Sequence, residues 1–254
     1  MAKAQPSGRK EKIAAIEREQ KMKRGIVYTI IGLVILVVVG VITFVVVSAI
    51  QDSQKPENNL SADTYSISFG PTSAKVTVDV YFDFICPGCG TFERTNGPDL
   101  ETLAEAGTIR LNMHPMNFGD TWGAGTNFSS RAANAFVTVA NKQPEKALQF
   151  AQAIFENQPT ENQEDTMLTD EQLADLAVRS GVSQEVADTF TANEYADWVD
   201  KSNEAAGQAG LASTPGLQIN GEWIMGSADS DSANVPFDYS KAGELKSYLE
   251  NLAK

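Results

Sequence analysis

The sequence predicts a mixed α/β domain held behind a single membrane span. Three observations carry this reading. An uncharged apolar run covers residues 25–50. A strand-forming segment leads directly into a Cys-x-x-Cys helix. A stretch of about 80 residues with helical periods then separates that helix from a closing hairpin.

Gly25 to Ile50 carries no charged side chain, and about 20 apolar residues suffice to cross a bilayer. Residues 1–24 hold eight Lys or Arg against three Glu, so the positive-inside rule places that basic tail in the cytoplasm and the remainder outside. A cleaved signal peptide is the alternative, because Val47-Ser48-Ala49 reads as a small-residue cleavage site. A signal's apolar region is about 7 to 15 residues, however, and this run is longer. Of the 20 basic and 33 acidic residues in the chain, 12 and 30 lie after Ile50, a net charge of −18. That balance argues against nucleic acid or anionic lipid as a partner and suits the solubility of an exported domain. Residues 51–63 are polar and aperiodic and read as a tether, leaving 64–254 as a domain large enough to bury its own core.

The chemistry concentrates in Asp83-Phe84-Ile85-Cys86-Pro87-Gly88-Cys89-Gly90, which holds both cysteines of the chain. Val76 to Phe84 is rich in β-branched and aromatic residues, and a Leu100, Leu103, Ala104 stripe follows the motif, so the pair sits at a strand-to-helix junction. Cys86 then lies at the helix N-terminus, where unpaired N–H groups and the macrodipole favour a thiolate, and Cys89 lies one turn further in. A thiol of pKa ~8.5 is only about 3% ionised at pH 7, and a fall of about two units makes it mostly thiolate. Cys86 is the expected nucleophile and the more exposed sulfur. Pro87 suits the first helical position, and Gly88 adds no side chain. Two other readings exist for the spacing. A zinc site needs about four ligands, and the chain offers no further Cys and a single His, so no metal is expected. A structural disulfide closing two intervening residues would constrain the unfolded chain very little. The pair therefore reads as a redox-active disulfide needing no other cofactor.

Tyr65 to Phe69 is a short strand, Ala74 to Phe84 the main strand, and Thr108 to Met113 the strand after the motif helix, which ends near Gly107. Helices are expected at Arg131 to Ala140, Glu145 to Asn157, Asp170 to Ser180 and Gln184 to Gln208, the last broken around Thr191 to Asn193; together they form an insert at about 127–211. Thr169 to Gln172 fits a capping box and Gly181 a helix C-terminus. After Thr214-Pro215-Gly216 come strands at Leu217 to Ile219 and Glu222 to Met225 around Asn220-Gly221, then a helix over Ser240 to Leu252.

This order, with Phe69-Gly70-Pro71, Ala74-Lys75-Val76, Phe82 to Gly90 and Thr214-Pro215-Gly216, resembles the DsbA-like branch of the thioredoxin fold, over roughly residues 64 to 253. Tail, span and acidic domain together resemble membrane-anchored actinobacterial members. The resemblance implies attack by Cys86, resolution by Cys89, and a cis Thr214-Pro215 bond facing the disulfide and presenting the Thr214 backbone to an extended peptide. It further implies unfolded or reduced exported proteins as substrates and an integral-membrane, quinone-linked redox partner of DsbB-like or VKOR-like kind. Three positions depart from the family pattern. Gly88 stands where the best-known oxidases have histidine. Val80 occupies the position six before the first cysteine where a buried carboxylate is common, and Asp79, one residue off, faces the other side of the strand. Thr214 precedes the proline, as it does in relatives of several redox roles.

The leading expectation is a membrane-tethered oxidase that introduces disulfides into exported proteins. A reductase or isomerase is the alternative, as is a non-catalytic thioredoxin-like binding or chaperone module. Asp83 is expected near the motif, through a structural hydrogen bond or an effect on the thiol. His114 reads as packing or surface, Trp122 as a loop anchor or a groove residue, and Asp229-Ser230-Asp231 as exposed linker.

Overall fold

The computed structural model describes residues 60–61, 63–230 and 235–254. The basic tail, the apolar run at 25–50, most of the tether and Asp231 lie outside the described residues. Among the described residues no helix is long and apolar enough to cross a membrane.

Five strands, β1 (Ile67–Phe69), β2 (Val76–Phe82), β3 (Ile109–Pro115), β4 (Gly216–Ile219) and β5 (Glu222–Met225), form a sheet of order β1-β3-β2-β4-β5. β2 and β3 run parallel and the other neighbours antiparallel. A parallel pair needs a crossover, and α1 (Pro87–Glu105) supplies it. In β2 the buried Val76, Val78 and Val80 alternate with half-buried Thr77 and Asp79, so β-branched side chains fill one face. The hairpin turn is made as its Asn-Gly pair demands, with Asn220 and Gly221 at φ 52° and 82°.

Between β3 and β4 lie α2 (Phe128–Lys142), α3 (Ala147–Glu156), α4 (Asp170–Arg179), α5 (Gln184–Ala187) and α6 (Ala196–Gln208), and α7 (Glu244–Leu252) closes the chain. Eleven residues of α2 are buried, which makes it the central helix of the insert. The insert and the sheet share one core. Phe84 packs on Phe155 at 4.9 Å and on Phe136 at 5.9 Å, and Phe82 meets all three rings. The Thr169–Gln172 capping box is formed, and Gly181 leaves α4 at φ 94°.

Several boundaries differ from the sequence reading. α2 starts at Phe128, not Arg131, because Asp120, ten residues upstream of Ser130, accepts from its backbone N–H (3.1 Å) and hydroxyl (2.5 Å). The expected helix over 184–208 is three pieces, α5, a 3-10 turn at Phe190–Ala192 and α6, with Asn193 in the left-handed region at φ 50°. α7 begins at Glu244, not Ser240, since the Asp238 carboxylate holds the Ser240 N–H and hydroxyl in a turn and Gly243 follows at φ 80°. β2 stops at Phe82, where the Asp83 side chain takes over the Ile85 N–H. The tether was expected to run to residue 63, yet Leu60 already bridges to Ile67.

Two carboxyl side chains, those of Asp83 and Glu93, are buried in the domain. Glu93 on α1 is 4% exposed, and burial, followed by the nearby Glu101, pushes its carboxyl up to about 7. Its carboxyl occupies the space that a Cβ on Gly97 would need, 2.3 Å from Glu93 Oε1. A carboxyl raised on folding contributes stability that is full below its unfolded value of 4.5 and lost as pH rises through about 7. Glu93→Gln is therefore expected to raise stability at pH 8 by ~1–3 kcal/mol and to leave it nearly unchanged at pH 4. Urea unfolding of both proteins at the two pH values checks this, and a loss at pH 8 would contradict it.

Candidate active site

The dithiol lies where the sequence places it, at the entry to α1. Cys86 is the N-cap residue, with φ −66° and ψ 119°, and Pro87 occupies the first turn. Both cysteines are free thiols. The Cys86 thiol donates to the Thr214 carbonyl at 3.4 Å, and Cys89 Sγ accepts the Asp83 N–H at 3.5 Å.

The two sulfurs are electrostatically opposite. Cys86 is pulled down to about 6, first by a hydrogen bond from the Cys89 thiol, which outweighs the opposing effect of burial. The Thr214 hydroxyl and the N–H groups of Cys89 and Gly88 add to the pull. The helix N-terminus thus contributes, as its position implies, but the partner thiol contributes more. Cys89 is pushed well above the ordinary thiol range, by burial first and then by its bond to Cys86. Cys86 is the more exposed of the two sulfurs, as expected, but it is still buried. Cys86 is only 7% exposed against 1% for Cys89, because the Thr214–Pro215 loop lies against it.

That loop contains a cis Thr214–Pro215 peptide bond. It is seated by Gly226, at φ 93°, where a Cβ would stand 2.5 Å from Gly216 Cα and 2.9 Å from the Ser213 carbonyl. Gly88 faces the same loop. A Cβ there would meet Pro215 Cδ at 3.0 Å and Cys86 Sγ at 3.8 Å, so a larger residue at this position would press on the proline while only touching the sulfur.

Asp83 is fully buried and acts as the hub behind the motif. Its carboxylate accepts from the Ile85 N–H (3.0 Å), the Ser129 hydroxyl (2.6 Å) and the Gly119 N–H (2.7 Å), and its own carbonyl accepts the Cys86 N–H at 3.1 Å. Burial pushes the carboxyl up to about 6, the three hydrogen bonds oppose this, and the Cys86 charge adds a small upward contribution. Both possibilities raised for Asp83, structural bond and electrostatic coupling to the thiol, are present together.

The other singled-out residues lie elsewhere. Asp79 bonds His114 Nε2 (3.1 Å) and Asn112 Nδ2 (2.9 Å) on the opposite face of β2 from Val80. His114, the penultimate residue of β3, is buried and stacks on Tyr81 at 4.1 Å, so of the two readings it is a packing residue. Trp122 belongs to the 3-10 turn Phe118–Trp122 and is 38% exposed. Sequence reasoning missed Ser129, Gly119 and Gln158, whose side chains or backbone reach the motif from 36 to 74 residues away. Ser129 lies in Asn127-Phe128-Ser129, an Asn-x-Ser glycosylation-type triplet of a kind that sequences often match by chance, and that pattern says nothing of its bond to Asp83. No local pattern marks the other two.

In the reduced protein, alkylation by iodoacetamide is expected at Cys86 before Cys89, with a rate half-maximal near pH 6. A pH–rate profile with mass-spectrometric assignment of the label checks this. A midpoint in the free-thiol range of about 8.5 would refute it.

The sequence matches the protein family described as Thioredoxin over residues 62–235. Among curated proteins it is 34% identical over 115 residues to the serine/threonine-protein kinase PknE of Mycobacterium tuberculosis, covering 44% of this chain and only 20% of that protein. It is 26% identical to disulfide bond formation protein D of Bacillus subtilis, covering 64% of this chain and 71% of that one. Among solved structures, reduced DsbA from Mycobacterium tuberculosis superposes with a TM-score of 0.55 at 28% identity, covering 62% of this chain and 83% of that chain. MdbA, a thiol-disulfide oxidoreductase from Actinomyces oris, gives 0.56 at 29% identity, covering 66% and 80%. With a match across more than half its length, a thioredoxin-like sheet carrying a helical insertion and the dithiol at the head of α1, the chain belongs to the thioredoxin family, in its DsbA-like branch.

Proposed function

We propose that this protein is a thiol-disulfide oxidoreductase that works as an oxidase on exported proteins, with Cys86 and Cys89 as its catalytic pair. One observation carries the direction. Cys86 is held near 6 while Cys89 is driven above the ordinary thiol range, so the reduced pair contains a stabilised thiolate next to a retained proton. Each unit by which the first thiol falls favours the reduced form by about 1.4 kcal/mol, or roughly 30 mV for a two-electron couple. A disulfide whose reduced form is stabilised passes its oxidising equivalent on.

In the oxidised protein a substrate thiolate attacks Cys86 Sγ, the Cys86–Cys89 bond breaks, and Cys89 leaves as a thiolate whose high proton affinity captures a proton at once. A second substrate thiolate then attacks the substrate sulfur of the mixed disulfide and expels Cys86, which leaves readily because its thiolate is stabilised. The substrate gives up two electrons and two protons, and the pair is left reduced. Thr214 presents its carbonyl beside Cys86, in reach of an extended peptide held through backbone hydrogen bonds. Pro87, Gly88 and Pro215 shape the surface around the sulfur, and Asp83 holds the loop that carries it. The pair itself supplies the redox chemistry without another cofactor.

The apolar run at 25–50 and the basic residues before it support a single-pass tether, with a cytoplasmic tail at 1–24, a linker at 51–63 and the catalytic domain outside the cell membrane. An outward-facing oxidase is renewed by an integral-membrane partner that passes electrons to a quinone, of DsbB-like or VKOR-like kind. An outward-facing reductase would instead need electrons carried across the bilayer.

The oxidised protein is expected to form disulfides in a reduced, unfolded multi-cysteine protein. Cys86→Ser should lose this activity entirely, and Cys89→Ser, mixed with a protein that contains a disulfide, should accumulate mixed disulfides through Cys86 because no second cysteine resolves them. Retention of turnover in Cys86→Ser would remove the enzyme reading. Trapping the thiols in intact cells tests direction: a mainly oxidised pair is expected, and a mainly reduced one would assign the protein to reduction or isomerisation.

A further inference from the structure

The carbonyl of Cys86 receives a bond from a remote part of the chain. Gln158, in the loop after α3, donates from Nε2 to the Cys86 carbonyl at 2.8 Å and to the Phe84 carbonyl at 2.9 Å. Arg94 on α1 points Nη1 at Gln158 Oε1 (3.4 Å) while donating to the Phe155 carbonyl at 2.8 Å. Two carbonyls facing the nitrogen and a guanidinium facing the oxygen leave one orientation for the amide. Space for it exists because residue 90 is glycine. A Cβ there would lie 2.1 Å from Gln158 Oε1 and 2.7 Å from Arg94 Nη1.

Cys86 has no side-chain cap bond of its own. Its carbonyl also accepts the Gly90 N–H at 3.1 Å, closing the first turn of α1. The direction of Sγ toward the Gly88 and Cys89 N–H groups, and toward the Thr214 carbonyl, therefore depends on how firmly this one peptide unit is held. We propose that Gln158 is a positioning residue for Cys86: by tying the carbonyls of Phe84 and Cys86 to the helical insert, it keeps the sulfur aimed at its donors and sets its reactivity as a nucleophile. The inference rests on the assignment of Cys86 as the attacking thiol.

Alkylation of the reduced full-length chain across pH tests it in wild type, Gln158→Ala, Gly90→Ala and the double variant. Gln158→Ala is expected to raise the Cys86 midpoint by about one unit, so that the rate at pH 6 falls ~5-fold. Gly90→Ala should do the same by expelling the amide, with alanine's better helix propensity offsetting part of the stability lost with the two Gln158 bonds. The double variant should show no further shift, since both changes remove one interaction. Gln158→Glu, which keeps the size and loses the donors, should match or exceed Gln158→Ala. An unchanged midpoint in Gln158→Ala beside a low wild-type midpoint would overturn the positioning role and leave the oxidoreductase reading intact. Additive shifts in the double variant would also overturn it. A free-thiol midpoint in the wild type itself would remove the nucleophile assignment and the inference with it.

Discussion

A sulfur stays ionised near neutral pH only where fixed donors converge on it, and here the convergence on Cys86 is set by strand register. β2 pairs with β4 so that Tyr81 lies opposite Gly216, which places Thr214 and Pro215 at the same sheet end as the loop leaving β2. One residue of slip would exchange the faces of β4 and carry Thr214, whose side chain is among the groups that lower Cys86, away from the sulfur. The parallel pairing of β2 with β3 requires a crossover, and the crossover helix must begin just past that same end. Helix terminus, cis-proline loop and dithiol thus meet as a consequence of sheet order, and Gly226 supplies the close backbone approach that lets β5 close the arrangement from behind.

The helical insert is bound to this geometry and is not an appendage beside it. Its Phe136 and Phe155 pack against Phe82 and Phe84, the residues at the end of β2 from which the motif springs. Ser129 on α2 and the Gly119 N–H hold Asp83, and Asp120 in the same 3-10 turn starts α2. A Cβ at Gly119 would stand 2.1 Å from Ile85 Cγ2, so the turn fits against the motif only without a side chain there.

What was legible in the sequence was local. The strand read over Ala74 to Phe84 forms as Val76–Phe82, and the helix opening at Pro87, the Thr169 capping box, Gly181 and Asn220-Gly221, which act through residues within about four positions, stand where their patterns place them. The misread features act across the chain. The N-terminus of α2 is satisfied by a carboxylate from a preceding turn, and the carboxyl of Asp83 is satisfied by three separate segments. The exposure expected of Cys86 is reduced by a loop 128 residues away. Periodicity describes a face of one element and carries no information about which distant donor meets it.

Asp83 and Cys86 give the site a pH dependence that neither has alone. Cys86, lowered to about 6, adds stability to the reduced fold that is complete above its ordinary value of 9.0 and lost as pH falls through about 6. Asp83, raised to about 6, contributes stability that is complete below 3.8 and lost as pH rises through about 6. The two therefore ionise over the same interval, each charge opposing the other, and they behave as a pair in that range. Forming the Cys86–Cys89 disulfide removes the thiolate and with it one of the causes that raise Asp83, the smallest of them. The carboxyl consequently binds its proton less tightly in the oxidised protein than in the reduced one. Transfer of the disulfide to a substrate releases two protons from the substrate thiols and returns one to Cys89, so with Cys86 left as a thiolate the transfer releases a net proton. Uptake at Asp83 offsets only a fraction of it, and acid below about pH 6, which protonates Cys86, weakens the protein as an oxidant of thiols.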